Sequence, residues 1–468
     1  MTNVLRLVFS SLLLCLLLVL CQSRINEKPN IILINIDDLG WRDLGFMGSQ
    51  FYETPRINQL ASRGMVFTQG YAAASNCAPS RASIMTGLWT PRHGIYTVGS
   101  SERGDADQRR LIPTPNTVSL ADSFVILPEL LKQAGYRTCH AGKWHLSVEP
   151  KEHGFDENIG GGHNGHPQSY YPPYGNVDLK PFDNQSYLTD VIMTHVLEFV
   201  RQTDGPFFLH YTPYAVHTPI HPVTELVPKY QEKDPWQKQH NPAYASMIEN
   251  LDRNIGRLLS LLDERQMTAK TFIILTSDNG GLYGITYQKP LRAGKGSFYE
   301  GGIRVPYCFV YPDVIEVARD STTPITHLDL LPTILEAATI NFRREKYDGN
   351  SLWPMLSDTR RLDRERALFW HFPIYLQAYD VTNNETRDPL FRTRPGSVVR
   401  KGDWKLHQYF EDSGIELYNL REDPGESQNV TADFPVKTEE LVDLLEGWRE
   451  RTNAPVPMDV NPKYSIRK

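Results

Sequence analysis

Asn30 to Ile36 reads Asn-Ile-Ile-Leu-Ile-Asn-Ile and stops at Asp37-Asp38-Leu39-Gly40. A run this apolar, without polar alternation, fits a strand buried on both faces, as in a parallel sheet covered by helices. Thr271 to Thr276 repeats the pattern and stops at Ser277-Asp278-Asn279-Gly280-Gly281. In open α/β sheets, ligands bind beyond the carboxyl ends of the strands. Asp37, Asp38, Asp278 and Asn279 are therefore expected at one sheet edge. Adjacent carboxylates at the end of a buried strand repel each other and call for a cation. An oxygen-only ligand set selects Ca²⁺, or Mg²⁺, over zinc or copper. Either pair alone reads equally well as a turn or a helix cap; the two together favour a metal.

The geometry recurs twice. A short strand over Tyr136 to His140 precedes Gly142-Lys143-Trp144-His145, and another over Phe207 to Tyr211 precedes Pro213 to Pro219 with His217 inside it. Lys143, His145 and His217 should then reach the same edge as the carboxylates. A lone loop histidine is more often structural, but these follow strands whose neighbours already converge. Between them, Leu127 to Ala134, Tyr187 to Gln202 and Tyr244 to Gln266 carry apolar residues at helical spacing and read as core helices.

Cys77 stands two residues before Pro79, which suits the first turn of a helix, and Ile84 and Met85 give that helix something to bury. Cys77 thus sits at a helix N-terminus, where free N–H groups favour an anion. Arg81, four residues on, shares its face. Taken alone, such a Cys reads as an ordinary buried residue. The stretch Cys77-Ala78-Pro79-Ser80-Arg81, with Ile84-Met85-Thr86-Gly87 behind it, nevertheless resembles the sulfatase signature at every fixed position. Lys289 to Pro306 resembles the second signature of that family, with Lys295 at the sulfate-binding position. Lys401 to Leu406 looks like its C-terminal subdomain, so the resemblance covers essentially the whole mature chain. Arg292 and Arg304 read as structural pairing.

The resemblance implies a chemistry that composition does not. Cys77 would be oxidised to formylglycine by a formylglycine-generating or anaerobic sulfatase-maturating enzyme. Asp37, Asp38, Asp278 and Asn279 would hold a divalent cation that also touches residue 77. The aldehyde hydrate would attack sulfur, with His217 protonating the departing alcohol, aided by Lys295, and His145 serving as the base that releases sulfate. Arg81 and Lys143 would hold nucleophile and oxyanion. One departure stands out: some relatives carry a sulfate-contacting Ser after the Lys-Trp-His segment, whereas this chain has Gly160 to His166 with no clear match. His163, Asn164 and His166 either read the substrate or form a plain loop. Two other readings compete with a sulfatase: a phosphonate monoester or phosphodiester hydrolase of the same superfamily, and a sulfoglycan-binding pseudoenzyme with Cys77 unmodified.

The expected fold is α/β, with a large mostly parallel mixed sheet between helices and a small C-terminal antiparallel sheet with a covering helix. At 468 residues the chain exceeds one typical core. The division expected is a signal peptide over 1–23, a catalytic domain over 24–365 and a C-terminal subdomain over 366–468. Leu7 to Leu20 is the apolar core of the leader, an uncleaved anchor being the alternative. A leader points to a secreted, periplasmic or lysosomal location. A net charge of −6 without basic tracts argues against nucleic acid. Beyond the leader, Cys139 and Cys308 read as buried thiols, and Asn184, Asn384 and Asn429 are sequons that matter only in a eukaryotic secretory pathway. Oligomeric state is not legible.

The substrate expected is a sulfated carbohydrate, with aryl sulfates as poorer surrogates. The stretch His163 to Tyr174 offers polar donors beside aromatic rings that either stack on sugars or pack the loop. His371 and the Arg392/Arg394 pair either add charge contacts from the C-terminal subdomain or form a solvated face.

Overall fold

The computed structural model describes residues 28–316, 319–358, 363–383 and 385–465. The leader and the Asn384 sequon lie outside the described residues. The large sheet contains β1 (Asn30–Ile36), β2 (Met65–Tyr71), β3 (Arg137–Gly142), β4 (Glu157–Ile159), β5 (Phe207–Thr212), β6 (Thr271–Ser277), β7 (Arg304–Val310), β8 (Arg319–Ser321) and β9 (Ile325–Thr326). Its order is β4-β3-β5-β1-β6-β7-β2-β8, with β9 also on β2. β7 runs antiparallel to both its neighbours, β6 and β2; the remaining pairs are parallel.

β1 lies between β5 and β6, and its side chains divide by parity. Ile32, Ile34 and Ile36 enter one core, with the helices Leu188–Arg201 and Pro242–Glu264. Ile31 and Leu33 enter the other, with the helices Cys77–Thr86 and Leu330–Ala337. Both faces are dry, which is why the strand shows no alternation. The longest helix starts where Asn241 caps it, its side chain accepting from Tyr244 N at 3.1 Å, with Pro242 in the first turn. Met247, Leu251, Ile255, Leu258 and Leu262 are all buried along its inner face.

Past the large sheet come β10 (Ala367–Phe372), β11 (Leu376–Gln377), β12 (Phe391–Thr393), β13 (Gly396–Lys401), β14 (Trp404–Tyr409) and β15 (Ile415–Asn419). β10-β13-β14-β15 form an antiparallel sheet, and β11 pairs with β12. The helix Pro435–Thr452 covers it through Leu441, Leu445 and Trp448, the last stacked on Phe369 at 4.9 Å. Cys139 and Cys308 are free, buried thiols. No described helix is long and apolar enough to cross a membrane.

The C-terminal sheet is pinned to the segment before β7 by a buried charge cluster. Lys405 Nζ lies 3.0 Å from Glu300 and 2.9 Å from Glu426, with all three side chains inaccessible. His407 Nε2 adds a contact to Glu426 at 3.0 Å. Burial pushes the Glu300 carboxyl up, but Lys405, Arg304 and Arg400 pull it further down, to about 2. A depressed folded value means this contribution is whole above the ordinary value of 4.5 and is lost as pH falls toward about 2. Lys405→Met should therefore cost about 3–5 kcal/mol at neutral pH by stranding buried carboxylates. Its deficit relative to wild type should shrink through that acid window. Thermal melts at pH 7 and pH 3 check this; equal melting of the two proteins at pH 7 would refute the role of the cluster.

Candidate active site

Cys77 opens its helix because Asn76 caps it, the Asn76 side chain accepting from Cys77 N at 3.2 Å. Asn76 is held in turn by donating to Thr97 Oγ1 at 3.0 Å. The Cys77 thiol faces the end of β1, with Sγ 3.8 Å from one oxygen each of Asp37 and Asp38. Both carboxylates are buried, and each meets its own lysine. Lys143 Nζ bridges the two Asp37 oxygens at 2.9 and 2.8 Å, while Lys295 Nζ lies 2.6 Å from Asp38 Oδ2. Arg81 directs Nε and Nη2 at Asp278 Oδ2, 2.9 and 2.8 Å away, and Nη1 at the Lys143 carbonyl, 2.7 Å away. Asn279 Nδ2 donates to Asp38 Oδ1 at 2.9 Å. The strand ends, the helix start and the loops after β3 and β5 thus meet at one point.

The electrostatics follow from burial. Desolvation raises the Asp37 carboxyl to about 8 in spite of Lys143, with Asp278 and Cys77 adding to the rise. Burial pushes the Cys77 thiol up, but the ammonium groups of Lys143 and Lys295 outweigh it and bring it to about 7. His145 is pushed well down by burial and then by Lys143, Arg81 and Lys295, so its ring is neutral. Its buried Nδ1 has no hydrogen-bond partner among the described residues. A neutral imidazole with a free nitrogen can take a proton. His217 is biased the other way: burial and Lys295 lower it, but Asp38 and Asp37 raise it beyond them. Its Nδ1 lies 2.7 Å from the Thr218 carbonyl, which fixes that proton and leaves Nε2 to face Lys295 at 3.1 Å.

The carboxylate and amide oxygens here suit a hard cation, whereas the thiol sulfur and the imidazole nitrogen beside them do not. Asp37, Asp38, Cys77 and His217 each bring one ligand atom within 4.8 Å of the others. Asn279 Oδ1 is buried without a partner among the described residues, an acceptor that a cation would satisfy. Asp278, also expected as a ligand, borders that group, its Oδ2 held by Arg81 and its Oδ1 accepting from Asp38 N at 3.1 Å. His217, expected as an acid, lies inside the group.

The remaining expected residues divide. The exposed His166 ring stacks on His217, with centroids 5.9 Å apart. His163 and Asn164 are exposed on the same loop, whose Gly162 carbonyl accepts from His145 N at 2.9 Å. At Gly165 a Cβ would come within 2.5 Å of His145 Cε1, so a glycine there lets the loop lie on the histidine. Arg392 reaches the site's edge, donating to the Lys295 carbonyl at 3.3 Å.

Others do not reach the site. His371 is buried, with its two nitrogens against Ser397 Oγ and the Pro455 carbonyl, so it packs the C-terminal sheet instead of touching substrate. Arg394 is committed to Asp388 and to Glu411. Of the two readings of the tyrosines, packing holds for Tyr170 and Tyr174, which are buried in the core with hydroxyls on backbone carbonyls. Arg292 and Arg304 make structural contacts, the first to the Glu385 and Glu426 carbonyls, the second to Thr68 and Glu300. Sequence reasoning missed Asn76 as the cap and Tyr170 as the prop under the His217 loop, where its hydroxyl donates to Tyr214 and His217 carbonyls at 2.6 and 2.9 Å. An Asn just before a helix start is a legible capping signal; nothing in sequence marks Tyr170.

A family model described as Sulfatase matches residues 29–340. A second, described as N-sulphoglucosamine sulphohydrolase, C-terminal, matches residues 294–450. A protein named Sulfatase from Formosa agariphila is 32% identical over 92% of this chain and 90% of its own length. The N-acetylgalactosamine-6-sulfatase of Homo sapiens is 30% identical over 72% of this chain and 67% of its own. Among solved structures, Ps i-CgsB in complex with k-i-k-neocarrahexaose aligns at a TM-score of 0.73 and 28% identity, covering 90% of this chain and 93% of that one.

Proposed function

The chain belongs to the sulfatase family and is a sulfuric ester hydrolase, and on that premise we propose that it desulfates carbohydrates outside the cytoplasm, using formylglycine at position 77 and a bound divalent cation. The observation that carries the reading is the convergence of Cys77, two carboxylates and two lysines at one strand end. The coded leader motivates the location.

Asp37, Asp38, Asp278 and Asn279 would hold Ca²⁺, or Mg²⁺, with residue 77 beside it. The cation would supply Lewis acidity toward a sulfate oxygen, and the formylglycine hydrate would supply the nucleophilic oxygen. The side chains do the rest. Once Asp37 is deprotonated beside a bound cation, the carboxylates of Asp37, Asp38 and Asp278 would be matched by Arg81, Lys143 and Lys295. A divalent cation added to that balance leaves the site positive, as a sulfate ester requires. Lys143 and Arg81 hold the oxygen of residue 77 and the charge that builds on the sulfuryl group. His217, whose affinity for a proton Asp38 and Asp37 raise, would give a proton from Nε2 to the leaving alcohol, with Lys295 3.1 Å away. His145, kept neutral, takes the proton from residue 77 as sulfate departs. Lys295→Ala should lower kcat by roughly 100-fold through lost transition-state stabilisation. An unchanged kcat in that variant removes Lys295 from the chemistry.

The carbohydrate assignment draws on relatives whose names and bound ligand are those of sugars, and on the exposed polar loop His163 to His166 against both histidines. Aryl sulfates forgo remote binding energy and should turn over poorly. The test compares kcat/KM for sulfated galactose, N-acetylhexosamine and uronic-acid oligosaccharides with that for paired aryl sulfate and phosphate esters. A sugar should win. If no sugar outperforms an aryl sulfate, the carbohydrate assignment fails, and a large phosphate preference points to a phosphoester hydrolase.

A further inference from the structure

Where the C-terminal sheet meets β2 of the large sheet lies an open cavity of about 650 Å³ that the proposed chemistry leaves unused. Gln69, Tyr71 and Arg304 line it from the large sheet, and Arg364, Arg400 and Arg421 line it from the C-terminal part. Among the described lining residues, four guanidiniums face the carboxylates of Glu365 and Asp403. Behind the wall, the buried Glu300 carboxylate is paired with Lys405 and also lies within the field of Arg304 and Arg400.

Arg400 is the decisive residue. Its side chain is 2% exposed and lies over the Tyr71 ring, 5.1 Å from its centroid. Nη2 donates to Gln69, but Nε and Nη1 have no hydrogen-bond partner among the described residues. A buried charged group with unspent donors is costly unless something satisfies it. The neighbouring arginines differ. Arg304 is held by the Thr68 carbonyl at 2.8 Å and stacks on Trp41 at 4.7 Å. Arg421 lies 2.9 Å from Asp403 and is largely exposed, and Arg364, also exposed, contacts Thr322. The arrangement is one buried guanidinium with spare N–H groups, rimmed by two exposed arginines.

We propose that this cavity is a second oxyanion site, which binds a sulfate group away from the reacting centre. Guanidinium is permanently charged, weakly hydrated and shaped to match the oxygens of sulfate, so burying it costs least when such a group arrives. The volume falls in the range of ligand pockets, roughly 300–1,000 Å³. That leaves room for a saccharide carrying the sulfate, with free inorganic sulfate as the other source. The site stands on the cavity and on Arg400, not on the chemistry proposed for Cys77.

Calorimetric titration of the full chain carrying Cys77→Ala, which cannot consume the probe, tests this. A sulfated tetrasaccharide should bind at two sites per chain. Arg400→Gln and, separately, Arg364→Ser with Arg421→Ser should remove the second site or weaken it at least about tenfold. In the chain with Cys77 intact, aryl sulfate turnover should be unchanged by the double substitution, which shows that the fold and the first site survive. If Arg400→Gln does not fold, the double variant decides. A parallel titration with inorganic sulfate separates the sources: tighter saccharide binding identifies the sugar-borne group, and equal affinities identify the free ion. Folded variants that bind as the starting chain does, or a starting chain with no site that these substitutions weaken, overturn the proposal, whereas one site that they do weaken keeps it and counts against saccharide binding at the Cys77 centre.

Discussion

Cys77→Ala is expected to give a folded protein that hydrolyses no sulfate ester, with kcat reduced by roughly 10⁴-fold or more, the scale seen when a catalytic nucleophile is removed. The fold should survive because the helix start depends on the Asn76 side chain and not on the thiol. Sγ makes only long contacts of 3.8 Å to Asp37 and Asp38. Removing it also relieves a group on which Lys143 and Lys295 impose charge. Cys77→Ser should be equally inactive where the maturating enzyme requires a thiol. Far-ultraviolet circular dichroism and turnover of the variant check both halves of the expectation. Intact mass of the native Cys77 peptide supplies the independent test. An aldehyde or its hydrate supports the proposed nucleophile, and an unmodified thiol in active protein would sink it and favour the pseudoenzyme reading for any inactive pool.

The second large effect is on the cation. Chelation should abolish turnover, and restoring Ca²⁺ should raise Tm by mass action, a stabilisation of about 2.7 kcal/mol at a hundredfold excess over Kd. Asp278→Ala should erase both the activity and that increment. It should also destabilise the metal-free protein, because Arg81 would be left as a buried guanidinium without its main partner. The two losses are separable: the Arg81 deficit is present with chelator, whereas the Ca²⁺ increment is read as a difference between two melts of one protein. A variant that keeps the wild-type increment would exclude Asp278 from the cation site. Melting that is indifferent to both chelator and Ca²⁺, in protein shown to be metal-free, would exclude the site altogether.

Much of this molecule was legible because its chemistry is carried by short local patterns. The unbroken apolar run at Ile31 to Ile34 reports a strand with two dry faces, and the carboxylates after it report a strand end, because backbone period and burial act residue by residue. The same holds for Cys77 with Pro79 and Arg81, whose placement on one helix face follows from helical geometry alone. What sequence could not decide was which polar side chains are already satisfied. His371, Arg394 and Tyr170 have the composition of ligand-binding residues, yet each has its donors or acceptors taken by partners distant in sequence: Ser397 and Pro455, Glu411, Tyr214 and His217. Arg400 shows the converse, an ordinary strand residue whose unspent donors appear only when two sheets close around it. Local periodicity fixes where a residue sits on its own element; whether its charge is matched is a property of the three-dimensional neighbourhood. Asp278 and His217 depend on the same neighbourhood: Arg81, four residues beyond Cys77, holds an Asp278 oxygen, while Lys295, far along the chain, holds an Asp38 oxygen and faces His217.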